Sequence, residues 1–160
     1  MLIRNATAAD ADAIAAIILP TIRDGSTYAL DSDMSEADAL AYWLAPDKEA
    51  FVAVDDGAVV GTYFIRRNQA GGGRHVCNCG YMTKADAAGR GIARRMCEHS
   101  LEHARTRGFR AMQFNFVIAS NERAVRLWQS MRFDVIGRIP AAFAHPRLGD
   151  VDALIMHRPL

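Results

Sequence analysis

Apolar and polar residues along this chain follow two periods, one typical of strands and one typical of helices. Short apolar or alternating runs predict strands over residues 1–5, 50–54, 58–66, 74–83, 111–117, 133–138 and 151–156. Apolar residues three and four positions apart predict helices over residues 8–19, 36–44, 92–106 and 121–131. Because hairpins alternate with crossovers in this order, the pattern predicts an α/β fold of the α+β type. We expect a mixed sheet with helices on its faces, in a single domain over residues 1–160.

Turn-forming residues set the limits of these elements. Thr7 and Ser35 precede two of the helices as capping residues, and Ser120 or Asn121 precedes the last one. Pro20 is expected to lie in the connection after the first helix, and a loop containing Pro140 and Pro146 is expected between the last two strands.

Composition and charge restrict the partners of the chain. It has 160 residues, 51% hydrophobic and 23% charged, with a formal net charge of +1. This charge gives no general attraction to nucleic acid or to an anionic membrane. No apolar run reaches the roughly 20 residues that span a bilayer. The short apolar stretch 13–19 follows Asp10 and Asp12 rather than a basic region, so it does not resemble a signal peptide and the expected location is cytoplasmic.

The three cysteines do not indicate a disulfide framework, because their number is odd and no signal peptide precedes them. Cys77 and Cys79 lie two positions apart in a predicted strand and would face the same side, together with His75. A zinc site usually needs four ligands, and no second pair follows. Packed thiols are therefore favoured, and no metal is predicted.

The segment from Ala88 to Ala93 connects a predicted strand to a predicted helix and contains Gly89 and Gly91. The first N–H groups of a helix have no partner within it and bind phosphate well. A dinucleotide-binding motif would need a third glycine where Arg94 stands, and a Walker A loop would need a Gly-Lys-Ser/Thr sequence. An ordinary turn remains the alternative.

A second segment, from Asn121 to Phe133, resembles the N-x-x-A-x-x-L-Y-x-x-x-G-F segment of the GNAT superfamily of N-acetyltransferases, and Ala88–Ala93 resembles their acetyl-CoA segment. The resemblance covers nearly the whole chain and implies a GNAT-like domain with six to seven strands and about four helices. It implies acetyl-CoA as cosubstrate, with a strand that separates from its neighbour to bind the pantetheine arm, where Gly80 suits a bulge and an N–H near Tyr81 to Met82 would stabilise the oxyanion. The residues expected to contact acetyl-CoA are Tyr81, Met82, Thr83, Gly89, Arg90, Gly91, Ile92, Ala93, Asn121 and Trp128.

Three positions depart from the family pattern. Ala88 replaces Arg or Gln, which leaves binding by backbone N–H groups possible, and Arg90 could pair with a phosphate. Arg132 replaces a Gly and is expected to alter the end of the last helix. Trp128 replaces the Tyr that protonates the leaving thiolate in many members, and an indole N–H cannot do this.

A narrower resemblance, to the yeast-type N-acetyltransferases that acetylate toxic proline analogues, rests on His75–Asn78 and Phe114–Phe116. It implies catalytic roles for Asn78, Asn115 and Asn121. Strand alternation places Gln113 and Asn115 on one face, with Phe114 and Phe116 on the other.

We therefore expect an acetyl-CoA-dependent N-acetyltransferase that acts on a small amine, such as an amino acid or an analogue, by direct attack of the amine on the thioester. The alternatives are a protein N-terminal or lysine acetyltransferase and a non-catalytic acyl-CoA-binding regulator. A homodimer is possible, and the general acid and base are not assigned.

Overall fold

The computed structural model describes residues 1–160 and contains one seven-stranded sheet with strand order β1-β2-β3-β4-β5-β7-β6. The strands are β1 Leu2–Asn5, β2 Glu49–Asp55, β3 Ala58–Arg67, β4 Val76–Thr83, β5 Ala111–Ile118, β6 Asp134–His145 and β7 Gly149–Pro159. The helices are α1 Ala11–Asp24, α2 Glu36–Trp43, α3 Ile92–Thr106 and α4 Glu122–Ser130. Only β4 and β5 are parallel. The predicted mixed α/β fold is confirmed.

The sheet separates two apolar cores, because alternate side chains of each strand point to opposite faces. The first core lies against α3 and α4, and its buried residues include Phe51, Tyr63, Cys77, Cys79, Met96, Leu101, Met112, Phe114 and Phe133. The second lies against α1 and α2 and is formed by Ile14, Ile17, Ile18, Ile22, Ala39, Trp43, Val52, Phe64 and Met82. Cys77 and Cys79 are thus packed thiols on the same face of β4. None of the four helices combines the length and apolar character needed to cross a membrane.

The first helix is longer than predicted, because it continues through Pro20 to Asp24. A proline inside a helix removes one hydrogen bond and costs about 3 kcal/mol. Here Ile14, Ile18 and Ile22 form an i, i+4, i+8 row that is almost fully buried, so tertiary packing outweighs the local cost. The helix ends at Gly25, whose φ of 64° is left-handed.

A buried carboxylate holds the entry to this helix. Asp10 is only 5% exposed and accepts hydrogen bonds from Nη1 and Nη2 of Arg4, both at 2.8 Å, and from the backbone N–H of Thr7 at 2.7 Å. These donors, led by Arg4, hold the pKa of Asp10 well below its usual range.

The prediction of a loop around Pro140 is wrong, because Pro140 lies within β6. Strands β6 and β7 form one long hairpin that extends to His145 and Gly149. Pro140 lies in an irregularity of the pairing between Ile139 and Phe143, and β6 is the edge strand of the sheet. A proline is tolerated at such an edge bulge, since its missing N–H is not needed there.

The parallel pair β4 and β5 separates soon after it begins. Only Val76 with Ala111 and Cys77 with Met112 are paired. Directly beyond them, the Asn78 side-chain Nδ2 donates to the backbone carbonyl of Gln113 at 2.9 Å, in place of the next ladder bond. From this point the two strands diverge, and their free edges bound a gap in the middle of the sheet.

Candidate functional site

The gap between β4 and β5 opens into a cavity of about 320 Å³, which we call the splay cavity. It is lined by residues of the loop after α1, of β3, β4 and β5, and of α4. These residues are Thr27, Tyr28, Ala29, Leu30, Tyr42, Phe64, Arg66, Asn78, Cys79, Gly80, Tyr81, Phe114, Asn115, Phe116, Val117, Ile118, Asn121, Ala124 and Trp128.

The backbone of β4 presents every second residue to this gap. The N–H of Lys84 donates to Val60 O and the N–H of Asn68 donates to Val76 O, both at 2.9 Å, so the even-numbered residues of β4 are hydrogen-bonded to β3. In an antiparallel ladder the intervening residues point their N–H and C=O groups away from that partner. The N–H groups of Tyr81 and Thr83 therefore face the gap. Met82 instead pairs with Thr62 and has a buried side chain, so this geometry does not support the predicted contact by Met82.

Tyr28, which the sequence analysis did not single out, reaches this edge of β4. Its hydroxyl donates to the carbonyl of Tyr81 at 3.0 Å, and burial raises the pKa of Tyr28 well above its usual range, so it stays protonated at neutral pH. Gly80 makes this approach possible. A Cβ at Gly80 would lie 2.6 Å from Phe64 Cε1 and 3.2 Å from the Tyr28 hydroxyl. The pairing of β3 and β4 is regular at Gly80, so the predicted bulge there is wrong.

Asn78, Asn115 and Asn121, the three asparagines predicted to be catalytic, all line the splay cavity. Asn115 belongs to a chain of amides, because its Nδ2 donates to Asn68 Oδ1 at 2.6 Å and its Oδ1 accepts from Gln113 Nε2 at 2.9 Å. These bonds fix the orientation of the Asn115 side chain at the cavity wall.

A bulge in β5 gives Phe116 a different environment from the one predicted. The pairing with β7 shifts between Phe114 and Val117, so one extra residue is inserted. Both rings line the cavity, but Phe114 is 5% exposed and belongs to the first core, whereas Phe116 is 38% exposed and does not. The prediction that Phe114 and Phe116 share one apolar face is therefore wrong, since alternation fails across a bulge.

The start of α4 closes one side of the splay cavity. Asn121 caps this helix, as predicted, by accepting a hydrogen bond from the N–H of Ala124 at 3.3 Å. Trp128 lies two turns beyond Asn121 and is buried between the rings of Tyr81 and Phe114, with ring centroids 5.1 Å from each. In this position it forms an apolar wall of the cavity.

A second cavity, also of about 320 Å³, lies at the N-terminus of α3, and we call it the glycine-loop cavity. It is lined by Thr83, Ala87, Ala88, Gly89, Gly91, Ile92, Ala93, Arg94, Arg123 and Leu127. Gly89 and Gly91 have φ values of 85° and 76°, and a Cβ at either position would meet no atom within 4 Å. Glycine is needed here for its left-handed backbone and not for packing space, so the N–H groups remain open to a ligand.

The charges around this cavity favour an anion. Arg94 and Arg95 stand in the first turn of α3, which contains no acidic residue. Cations at a helix N-terminus oppose the helix dipole, unless an anion binds between them. Arg123 adds a third cation from α4. Arg90 is committed elsewhere, because its guanidinium forms an ion pair with Asp55.

The end of α4 keeps the backbone shape that the family glycine would give. Arg132 has a φ of 63°, and its N–H donates to the carbonyl of Gln129 at 2.9 Å. The predicted alteration of the helix end is therefore absent, and the helix ends in a left-handed residue despite the substitution. A left-handed non-glycine residue costs about 1–2 kcal/mol.

Comparison with known proteins agrees with this architecture. The acetyltransferase (GNAT) family matches residues 18–133, so the chain belongs to the GNAT family of N-acetyltransferases, and the predicted class of enzyme is confirmed. N-acetyltransferase aca1 of Schizosaccharomyces pombe is 28% identical over 138 residues, which are 76% of this chain and 66% of that protein.

Two solved structures illustrate the range of the similarity. A GCN5-related N-acetyltransferase from Kribbella flavida is 41% identical with a TM-score of 0.95, covering 99% of this chain and 97% of that one. A GNAT superfamily phosphinothricin acetyltransferase from Sinorhizobium meliloti, in complex with AcCoA, shares the fold at 21% identity and a TM-score of 0.87, covering 99% and 88%.

Proposed function

We propose that this protein transfers an acetyl group from acetyl-CoA to the amine of a small molecule, an amino acid or an amino-acid analogue. The observation that carries the proposal is the placement of two cavities beside the same two elements. On β4, Tyr81 lines the splay cavity and Thr83 lines the glycine-loop cavity. On α4, Trp128 lines the first and Leu127 lines the second. A phosphate-binding end and a reaction end thus adjoin along β4 and α4.

The glycine-loop cavity suits the pyrophosphate of acetyl-CoA. The backbone N–H groups of Gly91, Ile92 and Ala93 begin α3, and no side chain covers the two glycines. Arg94 and Arg123 line the same cavity and supply positive charge. The pantetheine arm would then follow the free edge of β4, where Tyr81 offers its backbone groups.

The splay cavity suits the reaction itself. A volume of about 320 Å³ is at the lower end of ligand sites, which favours a small acceptor. In the proposed reaction the amine nitrogen attacks the thioester carbonyl, a C–N bond forms and the C–S bond breaks. The backbone N–H of Tyr81 would stabilise the developing oxyanion, and Asn115 would position the amine.

Protons move through water in this proposal, from the amine nitrogen to solvent and from solvent to the leaving sulfur. Trp128 has no acidic proton to give. The hydroxyl of Tyr28 is already donated to the Tyr81 carbonyl, so Tyr28 acts as a positioning residue for the free edge of β4.

Two measurements test the proposal together. Calorimetry measures the binding of acetyl-CoA, and a thiol reagent measures the release of CoA in the presence of each member of a panel of amines. A reaction without amine controls for thioester hydrolysis. Amine-dependent release supports the proposal. Binding without release from any amine would favour a non-catalytic regulator, and absence of binding would refute both.

A further inference from the structure

We propose that Arg66 binds the carboxylate of the acceptor, so that the preferred acceptors are free amino acids and not their amides or peptides. This inference rests on the proposed function and specifies its substrate class. It assigns to Arg66 a role in specificity that the sequence pattern does not indicate.

Arg66 is the only charged side chain that lines the splay cavity. It lies on β3 on the same face as Phe64, and it is the register partner of Asn78 on β4. The cavity contains no Asp, Glu, His or Lys side chain among its lining residues. A single positive charge in such a wall favours an acceptor that carries one negative group.

The guanidinium of Arg66 makes few contacts with other protein groups. Its Nε is buried and has no hydrogen-bond partner. The only ion pair joins its Nη1 to Asp47 Oδ2 at 3.5 Å, which is long, and the Asp47 side chain is 61% exposed. Water screens such a pair strongly. The side chain as a whole is 35% exposed, so an acceptor carboxylate would pair with its terminal nitrogens.

A second cation, Lys48, lies near enough to Arg66 for the two charges to interact. The Lys48 ammonium lies over the Tyr42 ring, 3.4 Å from its centroid, and over the Phe64 ring at 4.5 Å. Its burial, and then the charge of Arg66, lower the pKa of Lys48 to about 8. Two cations, Arg66 and Lys48, thus lie near one exposed carboxylate, that of Asp47, so the local net charge is positive.

Pairing with Arg66 would also assist the chemistry. In a free amino acid the carboxylate stabilises the neighbouring ammonium and raises its pKa. When Arg66 neutralises that carboxylate, the ammonium loses its proton more readily, and the neutral amine is the form that attacks the thioester. A primary amide or a peptide bond would leave the guanidinium without its counter-charge.

The test compares the fastest amino-acid acceptor from the panel with its own primary amide, in the wild type and in Arg66→Gln. We expect wild type to prefer the acid. In Arg66→Gln, kcat/KM for the acid should fall by roughly 10- to 100-fold, mainly through KM, while kcat/KM for the amide changes less than about twofold. Arg66→Lys keeps the charge but not the planar fork of donors, so its kcat/KM for the acid should lie between those of wild type and Arg66→Gln.

Arg67→Gln is the matched control, because Arg67 is the next residue of β3, is exposed and does not line the cavity. It should keep the preference for the acid. Acetyl-CoA affinity, measured by calorimetry, should be unchanged in all three variants and shows that each is folded.

Equal losses on acid and amide in Arg66→Gln, or equal use of both by wild type, would overturn the role of Arg66 and leave the proposed function standing. Turnover of other amines with none of any free amino acid would overturn the role of Arg66 and the amino-acid part of the proposed function, and would leave acetyl transfer to a small amine standing. If no amine at all releases CoA, the proposed function fails together with this inference.

Discussion

Replacing Gly91 with Val tests whether the glycine segment binds a phosphate or is only a turn. Gly91 has a φ of 76°, and a Cβ added there meets no protein atom within 4 Å. The Cβ of the new side chain would thus cause no clash with the protein. It would instead occupy space in the glycine-loop cavity, in front of the N–H groups that begin α3.

Two free energies follow from this geometry. A left-handed valine costs about 1–2 kcal/mol of stability, partly offset by a stiffer unfolded chain. Each backbone hydrogen bond to a charged phosphate contributes about 1.5–3 kcal/mol. Loss of one such bond should therefore raise the Kd for CoA by about 10- to 100-fold, beyond any loss of stability.

The assay is calorimetric titration with CoA, combined with thermal unfolding of each variant. Gly108→Val provides the control, because Gly108 follows the other end of α3, has a φ of 79°, and also has open space around its Cβ position. Both variants should lose similar stability, and only Gly91→Val should lose affinity. If the two folded variants bind CoA equally well, the glycine segment does not hold the pyrophosphate.

Three further expectations concern other parts of the chain. Asn115→Ala should lower kcat by at least about tenfold with CoA affinity unchanged, since Asn115 lines the splay cavity; unaltered turnover would exclude a direct role. Arg132→Gly should raise the free energy of unfolding by about 0.5–1 kcal/mol in urea titrations, because it relieves a φ of 63°, whereas Arg132→Ala should not. Asp10→Asn should cost about 2 kcal/mol at neutral pH. The pKa of Asp10 is lower in the folded state than its value of about 3.9 in the unfolded chain. The difference in unfolding free energy between wild type and Asp10→Asn should therefore be complete above about pH 3.9 and should shrink as the pH falls further. Unfolding titrations at several pH values would measure this.

Local signals predicted most of the secondary structure. The period of the apolar residues identified all seven strands and four helices, and the caps at Ser35 and Asn121 were visible as residue types. The glycine segment could be recognised because left-handed positions and an uncovered helix start require a particular residue, Gly, at particular positions.

The errors arose where distant contacts outweighed local preference. Pro20 is a local signal to stop a helix, but the burial of Ile22 against the sheet carries α1 past it. Pro140 signals a loop, but it lies in a bulge of the edge strand β6, where its missing N–H leaves no neighbouring carbonyl without a partner. The bulge in β5 that exposes Phe116 is likewise set by pairing with β7 and not by the residues of β5 themselves.

The sequence by itself determined the family, and it predicted the glycine segment and the three asparagines as candidate site residues, because each depends on residue type and spacing along the chain. Tertiary structure alone decided the composition of the splay cavity. Tyr28, Arg66 and Asn121 come from three separate elements and meet only because β4 and β5 diverge. Whether an arginine on a strand lies in open solvent or lines a cavity depends on its surroundings, and those exist only once the sheet has formed.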